Sequence, residues 1–220
     1  DLRALGTDPA GTARSVNIMY RDGRRKNFYD GKGHMDLAVD LDLCRAVMNG
    51  ARLAHFHLLN WARQALPVAR ELGLTVACDL QDVTSVDDPY RVDFVEQAEI
   101  IFFSAVNDGG DPRPMVEAFL GRGRARVVVA GMGDRGCALG TRGWIRRFPP
   151  LANGGPVVDT NGAGDSLAVG FLVSHVLQGR PLEEAVLRGQ TAARHACTVR
   201  GTSAGLITAE ELEEQCSTSP

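Results

Sequence analysis

Short runs in which nearly every position is apolar alternate, from Asp40 onward, with longer stretches whose apolar positions recur at helical spacing. Residues 53–58, 74–80, 99–103 and 126–131 are such runs and predict buried strands. Between them, Asn60 is placed to cap a helix from Trp61 to about Leu72, stopped by Gly73. Asp88-Pro89 predicts the start of a short helix holding Val92, Val95 and Glu96, and 114–120 a helix closed by Gly121 and Gly123. Strands apolar on both faces belong in a parallel sheet covered by helices. Beyond Gly131 the pattern turns antiparallel, with a hairpin of 136–140 and 144–148 about Thr141-Arg142-Gly143, ended by Pro149-Pro150. Helices are predicted from Asp165 to Leu177, from Leu182 to about Val199, and from Ala209 to Gln215 with Thr208 as cap. Ahead of all this, 15–20 and 25–29 predict a polar, basic hairpin about the Asp22-Gly23 turn. No internal repeat or low-complexity linker interrupts the chain. The expectation is a single α/β domain over 1–220, a three-layer α/β/α sandwich with a β appendage at 12–31.

Composition narrows the classes. The 24 basic and 27 acidic residues give a net charge of −3, with 44% hydrophobic and 23% charged residues. That is ordinary globular usage and excludes disorder and coiled coil. No stretch approaches the ~20 apolar residues of a membrane span. A pI near 6.0 argues against a phosphate-neutralising surface, so neither nucleic acid nor membrane is an expected partner. The five cysteines are odd in number and form no C-x-x-C pair, so they read as buried thiols of a reducing compartment. The opening Asp1-Leu2-Arg3-Ala4 has no secretory character, and a cytoplasmic protein is expected.

The chemistry concentrates in Val157-Val158-Asp159-Thr160-Asn161-Gly162-Ala163-Gly164-Asp165-Ser166, followed by an apolar helix. A strand, a tight loop of small residues and a helix start together make an anion site, because the first helical N–H groups lack partners and the dipole adds positive potential. An acid beside such a site, Asp165, is contradictory unless it handles a proton. A general base next to a phosphoryl cradle resolves this. A lone Gly-x-Gly is more often only a turn, but this order of residues on this frame is far more specific.

Asp159 to Asp165 resembles the D-T-x-G-A-G-D signature of the PfkB/ribokinase family of sugar and nucleoside kinases. Gly131-Met132-Gly133-Asp134-Arg135-Gly136 resembles its G-x-x-G nucleotide loop, 15–29 its lid strands, and Gly179 to Ala185 the turn between its two C-terminal helices. The resemblance implies a ribokinase-like fold and ATP-dependent phosphorylation of a sugar or sugar-like hydroxyl. It makes Asp165 the catalytic base and Gly162, Ala163 and Gly164 the anion hole. It puts Gly131, Gly133, Asp134, Gly136, Gln190 and Ser104 on the nucleotide side. It implies Mg²⁺ with ATP and, for members using K⁺, a site from Asp159 and Asn161 with Ala196, Val199 and Gly201 of a second loop. A homodimer through the lid is a further implication.

Three departures qualify this. No segment matches the family's early sugar-binding strand and Gly-Gly loop, so the chain is expected to be N-terminally short and to lack much of the sugar site. The family's Mg²⁺-organising N-x-x-E falls on Ser104-Ala105-Val106-Asn107, with Asp108 and Asp111 as out-of-place substitutes. The sugar-contacting acid after the lid falls on Asn60. A non-catalytic nucleotide-binding scaffold, or an inactive truncated kinase, is therefore the alternative expectation. Among other candidates, His55 and His57 share a strand face at metal-binding spacing, with no third ligand evident in the sequence. Asp79 and Asp82 follow a strand end, and Arg122, Arg124 and Arg126 read as a solvated helix end.

Overall fold

The structure, a computed structural model, describes residues 4–20, 25–106, 110–152 and 155–217. Six strands form one sheet: β3 (Leu53–Phe56), β4 (Thr75–Asp82), β5 (Ile100–Ser104), β6 (Val127–Gly131), β7 (Cys137–Thr141) and β8 (Ile145–Phe148). They lie side by side in chain order, the first four parallel and the last two antiparallel. The four expected runs therefore share one sheet. Separately, β1 (Arg14–Met19) and β2 (Arg25–Asp30) pair as the expected antiparallel hairpin. Its Asp22-Gly23 turn lies outside the described residues.

Strand order explains the layers. Right-handed crossovers that always step the same way leave their helices on one face. Helices α2 (Ala62–Glu71), α3 (Val92–Gln97) and α4 (Arg113–Gly121) pack there on Phe56, Val76, Cys78, Ile101, Phe103 and Val128. The pleat sends Ala77, Ile100, Phe102, Val127 and Val129 the other way. That face is covered by α5 (Ala163–Leu172) and α6 (Leu182–Ala196) through Leu167, Ala168, Phe171, Leu172, Ala185 and Val186. The result is the expected α/β/α sandwich.

Several boundaries differ from expectation. Asn60 does not cap α2: its amide donates to the Met35 carbonyl at 2.5 Å, and Trp61 occupies the cap position without a side-chain bond. The Asp88 carboxylate accepts from Tyr90 N and pairs with Arg91, which builds a turn at Asp88-Pro89, so α3 starts only at Val92. Helix α5 gives way at Val173 to a wider turn, closed by Gln178 N donating to Val173 O at 3.0 Å. An additional helix, α1 (Leu41–Met48), is capped by Asp40, whose carboxylate accepts from Leu43 N at 2.9 Å. Helix α7 (Ala209–Ser217) has the expected Thr208 cap, and Glu211 returns a bond to Thr208 N. Arg122 and Arg126 are not merely solvated: they pair with Asp87 and Glu99. All five cysteines are free, with Cys78 and Cys137 buried.

Candidate active site

The signature loop enters α5 from an extended segment rather than from a strand. Val158 N donates to the Cys197 carbonyl at 2.8 Å, which lays this segment along the end of α6. Asp159 clasps two loops: one oxygen accepts from Asn161 N and Nδ2 (2.9 and 2.8 Å), the other from Gly201 N (3.2 Å). These donors, Asn161 N first, hold its carboxyl below the ordinary range. The two loops carrying Asp159, Asn161, Ala196, Val199 and Gly201 are thus brought together.

Gly162 occupies the cap of α5 at φ 77°, where an L side chain is strained. Ala163, Gly164 and Asp165 make its first turn. A Cβ built at Gly164 would meet none of the described residues within 4 Å, so the helix start is open on that side. Asp165, third in the helix, is exposed, and helical side chains lean toward the N-terminus, hence toward that space.

Strand register supplies the neighbours. His55 pairs with Ala77 and Phe56 with Cys78, so the next step sets His57 beside Asp79 at the C-terminal ends of β3 and β4. His57 Nε2 lies 3.9 Å from Asp165 Oδ1, and ligand atoms of His57, Asp79 and Asp165 all fall within 4.8 Å of one another. The third partner missing from the sequence reading of His57 is therefore this pair of carboxylates. Asp79 and Asp82 lie within β4, not beyond it, because a register shift between them lengthens the strand. Gln81 at the shift adopts φ 54°, and its N–H donates to Asp79 Oδ1 at 2.8 Å. Burial, with Asp165 and Asp82 nearby, pushes the Asp79 carboxyl up against the opposing pull of Gln81 N and His57. His55 packs edge-on against Phe102, its buried Nε2 has no partner, and burial beside His57 pushes it down to about 4.

The hairpin closes over this end of the sheet. Asn17 Nδ2 donates to Asn161 Oδ1 at 3.3 Å, and Asn27 holds Asn17 and Ser15. Its polar face thus meets the signature loop, while Val16, Ile18 and Phe28 of the opposite face stay exposed.

On the other side, Gly133–Arg135 form one tight turn. The close approach at Gly136 is to the chain itself: a Cβ there would lie 2.1 Å from Phe148 O. At Gly133 it would meet, among the described residues, Val106 at 3.4 Å. Asp134 is exposed, and Gly131 ends β6 with ordinary room around it. Gln190 on α6 donates to Pro149 O at 3.0 Å and keeps a buried Oε1 with no donor, which suits a group that presents an N–H. Arg135 ties this turn to Ala105 O and Gly110 O (3.2 and 3.0 Å), adjoining Ser104. Asp111 Oδ1 accepts from Arg147 at 2.7 Å and from Arg113 N at 3.1 Å, an exposed ion pair at the start of α4. Asn107 and Asp108 lie outside the described residues.

The arrangement is an α/β/α sandwich with a hairpin at its strand ends, a helix start of small residues and an exposed acid in that helix's first turn. Residues 88–209 match the family described as pfkB family carbohydrate kinase. The chain belongs to that family. It is 35% identical over 201 residues to an acarbose 7(IV)-phosphotransferase of Actinoplanes sp., covering 90% of this chain and 66% of that protein. It is 28% identical over 151 residues to a fructoselysine 6-kinase of Escherichia coli, covering 68% of this chain and 55% of that one. The chain therefore spans about two thirds or less of these relatives' lengths. A solved microbiome-derived acarbose kinase superposes with a TM-score of 0.84 at 34% identity, over 94% of this chain and 70% of that one. An Arabidopsis thaliana ribokinase shares the fold, with a TM-score of 0.71 at 18% identity, over 96% of this chain and 71% of that one.

Proposed function

We propose that the protein transfers the γ-phosphoryl group of ATP to a hydroxyl of a sugar or sugar-like molecule. The observation that carries this is Asp165 in the first turn of α5, facing open space before Gly164. The N–H groups of Gly162 to Asp165 hold the transferring group, and Asp165 takes the proton from the acceptor hydroxyl as its oxygen bonds to phosphorus and ADP leaves. Gly131, Gly133, Asp134, Gly136, Ser104 and Gln190 bound the adenosine side, where the unpaired Oε1 of Gln190 suits an adenine amine. Asn60, which secures the segment behind the hairpin, borders the acceptor side.

Mg²⁺ enters as Mg–ATP and supplies charge neutralisation on the phosphates. No protein ligand is assigned to it, since Ser104 stands where the family's Mg²⁺-organising motif begins. For K⁺, the site would be built from Asp159 and Asn161 with Ala196, Val199 and Gly201 of the second loop, which the Gly201 N–H bond to Asp159 holds beside the first. The acceptor is a small molecule, the exposed hairpin face supports a homodimer, and five free thiols support a cytoplasmic setting. Ser104, at the family's Mg²⁺-organising position, favours, as the second reading, a nucleotide-binding scaffold without turnover.

The test is transfer from labelled ATP to sugars and nucleosides by wild type, Asp165→Asn and Gly164→Val. A positioned base is worth about 10²–10⁴-fold, so Asp165→Asn loses turnover in that range while ADP affinity holds. Gly164→Val, whose Cβ would meet none of the described residues within 4 Å, should lose turnover while its melting temperature stays near wild type. Normal turnover in Asp165→Asn removes it as the base, and a wild type that binds ADP but phosphorylates nothing leaves the scaffold.

A further inference from the structure

Three features converge beside Asp165 that phosphoryl transfer alone does not use. Asp79 is a half-buried carboxylate with one oxygen bonded to Gln81 N and no described donor on the other. Gln81 pays for this with a left-handed backbone at a strand irregularity, a conformation non-glycine residues hold only when their surroundings impose it. His57, half-exposed, stands between Asp79 and Asp165. The groups facing His57 are His55 from β3, Asp79 from β4 and Asp165 from α5.

Resting on the kinase reading, we propose that His57 and Asp79 select the acceptor. The free oxygen of Asp79 accepts a hydrogen bond from a hydroxyl or ammonium group neighbouring the hydroxyl that Asp165 deprotonates. His57 Nε2 bonds a further hydroxyl on the same ring. A pocket wall with carboxylates at Asp79 and Asp165 takes neutral sugars and amino sugars and rejects sugar acids and sugar phosphates. The argument is electrostatic: an acceptor carboxylate or phosphate placed here would be a like charge in a partly desolvated site, where such contacts are costly. The described cations of the hairpin point elsewhere, Arg14 and Lys32 toward Asp30 and Lys26 over the Phe28 ring.

The experiment compares matched rings of different charge, namely glucose, glucosamine and glucuronate and their disaccharides. Turnover is measured for each, and binding by calorimetry with ADP present. Wild type should take the neutral and amino sugars and leave the acids. Asp79→Asn keeps an oxygen for Gln81 N, so the strand end stays in place. A hydrogen bond to a charged group is worth about tenfold to a hundredfold in affinity. Asp79→Asn should raise the acceptor KM by about that factor, leave the KM for ATP within about twofold, and narrow the gap between amino sugar and acid. His57→Gln, whose amide reaches the Nε2 position, should retain more acceptor affinity than His57→Ala. A wild type that prefers the acid overturns the proposal. So do Asp79→Asn and His57→Ala enzymes whose acceptor constants match wild type, a result that leaves the kinase reading standing. A wild type that neither binds nor phosphorylates any acceptor removes both.

Discussion

Burial raises the Asp79 carboxyl, and this has a cost in stability as well as a use in binding. Between the ordinary aspartate value and the raised one, the folded chain holds more protons than the unfolded chain, so this contribution to stability falls as pH rises through that window. At neutral pH the penalty is fully present. Asp79→Asn removes it: its melting temperature should exceed wild type at pH 7, and the difference should shrink toward pH 4. A variant that gains stability while losing acceptor affinity shows a group held for function. His55 works with the opposite sign. Its folded value near 4 lies below the unfolded 6.5, so the unfolded chain gains the proton first on acidification and stability is lost from about pH 6.5 downward. The shift corresponds to at most about 3 kcal/mol. Melting of His55→Gln from pH 7 to 4.5 should show a shallower acid decline than wild type, and an equal decline would assign it to other groups.

Helices α5 and α6 cross where side chains are smallest. A Cβ at Gly189 would lie 2.7 Å from the Leu167 carbonyl, and one at Gly170 would lie 3.0 Å from Gly189 Cα and Ala192 Cβ. The close crossing lets Phe171, Leu167 and Val186 seal the sheet's second face. It also fixes where α5 begins, hence where Asp165 stands. Gly189→Ala should destabilise the chain by about 1–3 kcal/mol, the usual cost of overpacking. Gly164→Ala, with open space around it, should leave the melting temperature unchanged or slightly higher and still lower turnover. Equal melting losses in the two variants would contradict this division between packing and function. The sheet makes a comparable distinction, since the strained Gln81 lies in the one strand pairing with a register shift, between β4 and β5.

The hairpin is the exposed part of the described structure, attached to the sandwich through Asn17 and Asn161. A two-stranded ribbon alone is marginal in water, and this one leaves Val16 59%, Ile18 47% and Phe28 50% exposed on one face. A second copy of the hairpin would cover that face and complete the sheet. Light scattering should find wild type dimeric and a Val16→Ser, Phe28→Ser variant shifted to monomer. A wild type that remains monomeric at every concentration rules out the lid contact. Loss of the dimer should also raise the acceptor KM, because the opposite face, through Ser15, Asn17 and Asn27, closes the site.

The alternation of apolar runs and amphipathic stretches was enough to read the parallel sheet, its helices and the hairpins, because period and burial are properties of neighbouring residues. The anion loop and Asp165 were legible for the same reason: Asp159 to Asp165 is contiguous, and its order carries its geometry. Asn60 looked like a cap since Asn favours that position, but a tertiary partner, Met35, took its amide. Asp111 pairs with Arg147, distant in sequence, a contact that no local pattern announces. His57 had no visible partner because Asp79 reaches it through the β3–β4 register and Asp165 through the packing of α5 on the opposite face of the sheet. Nothing in residue type marks Gln81 for a left-handed backbone either. Local pattern determines which positions are buried, whereas strand order, register and helix crossing determine which distant side chains meet, and those arise from long-range packing that no short window of sequence contains.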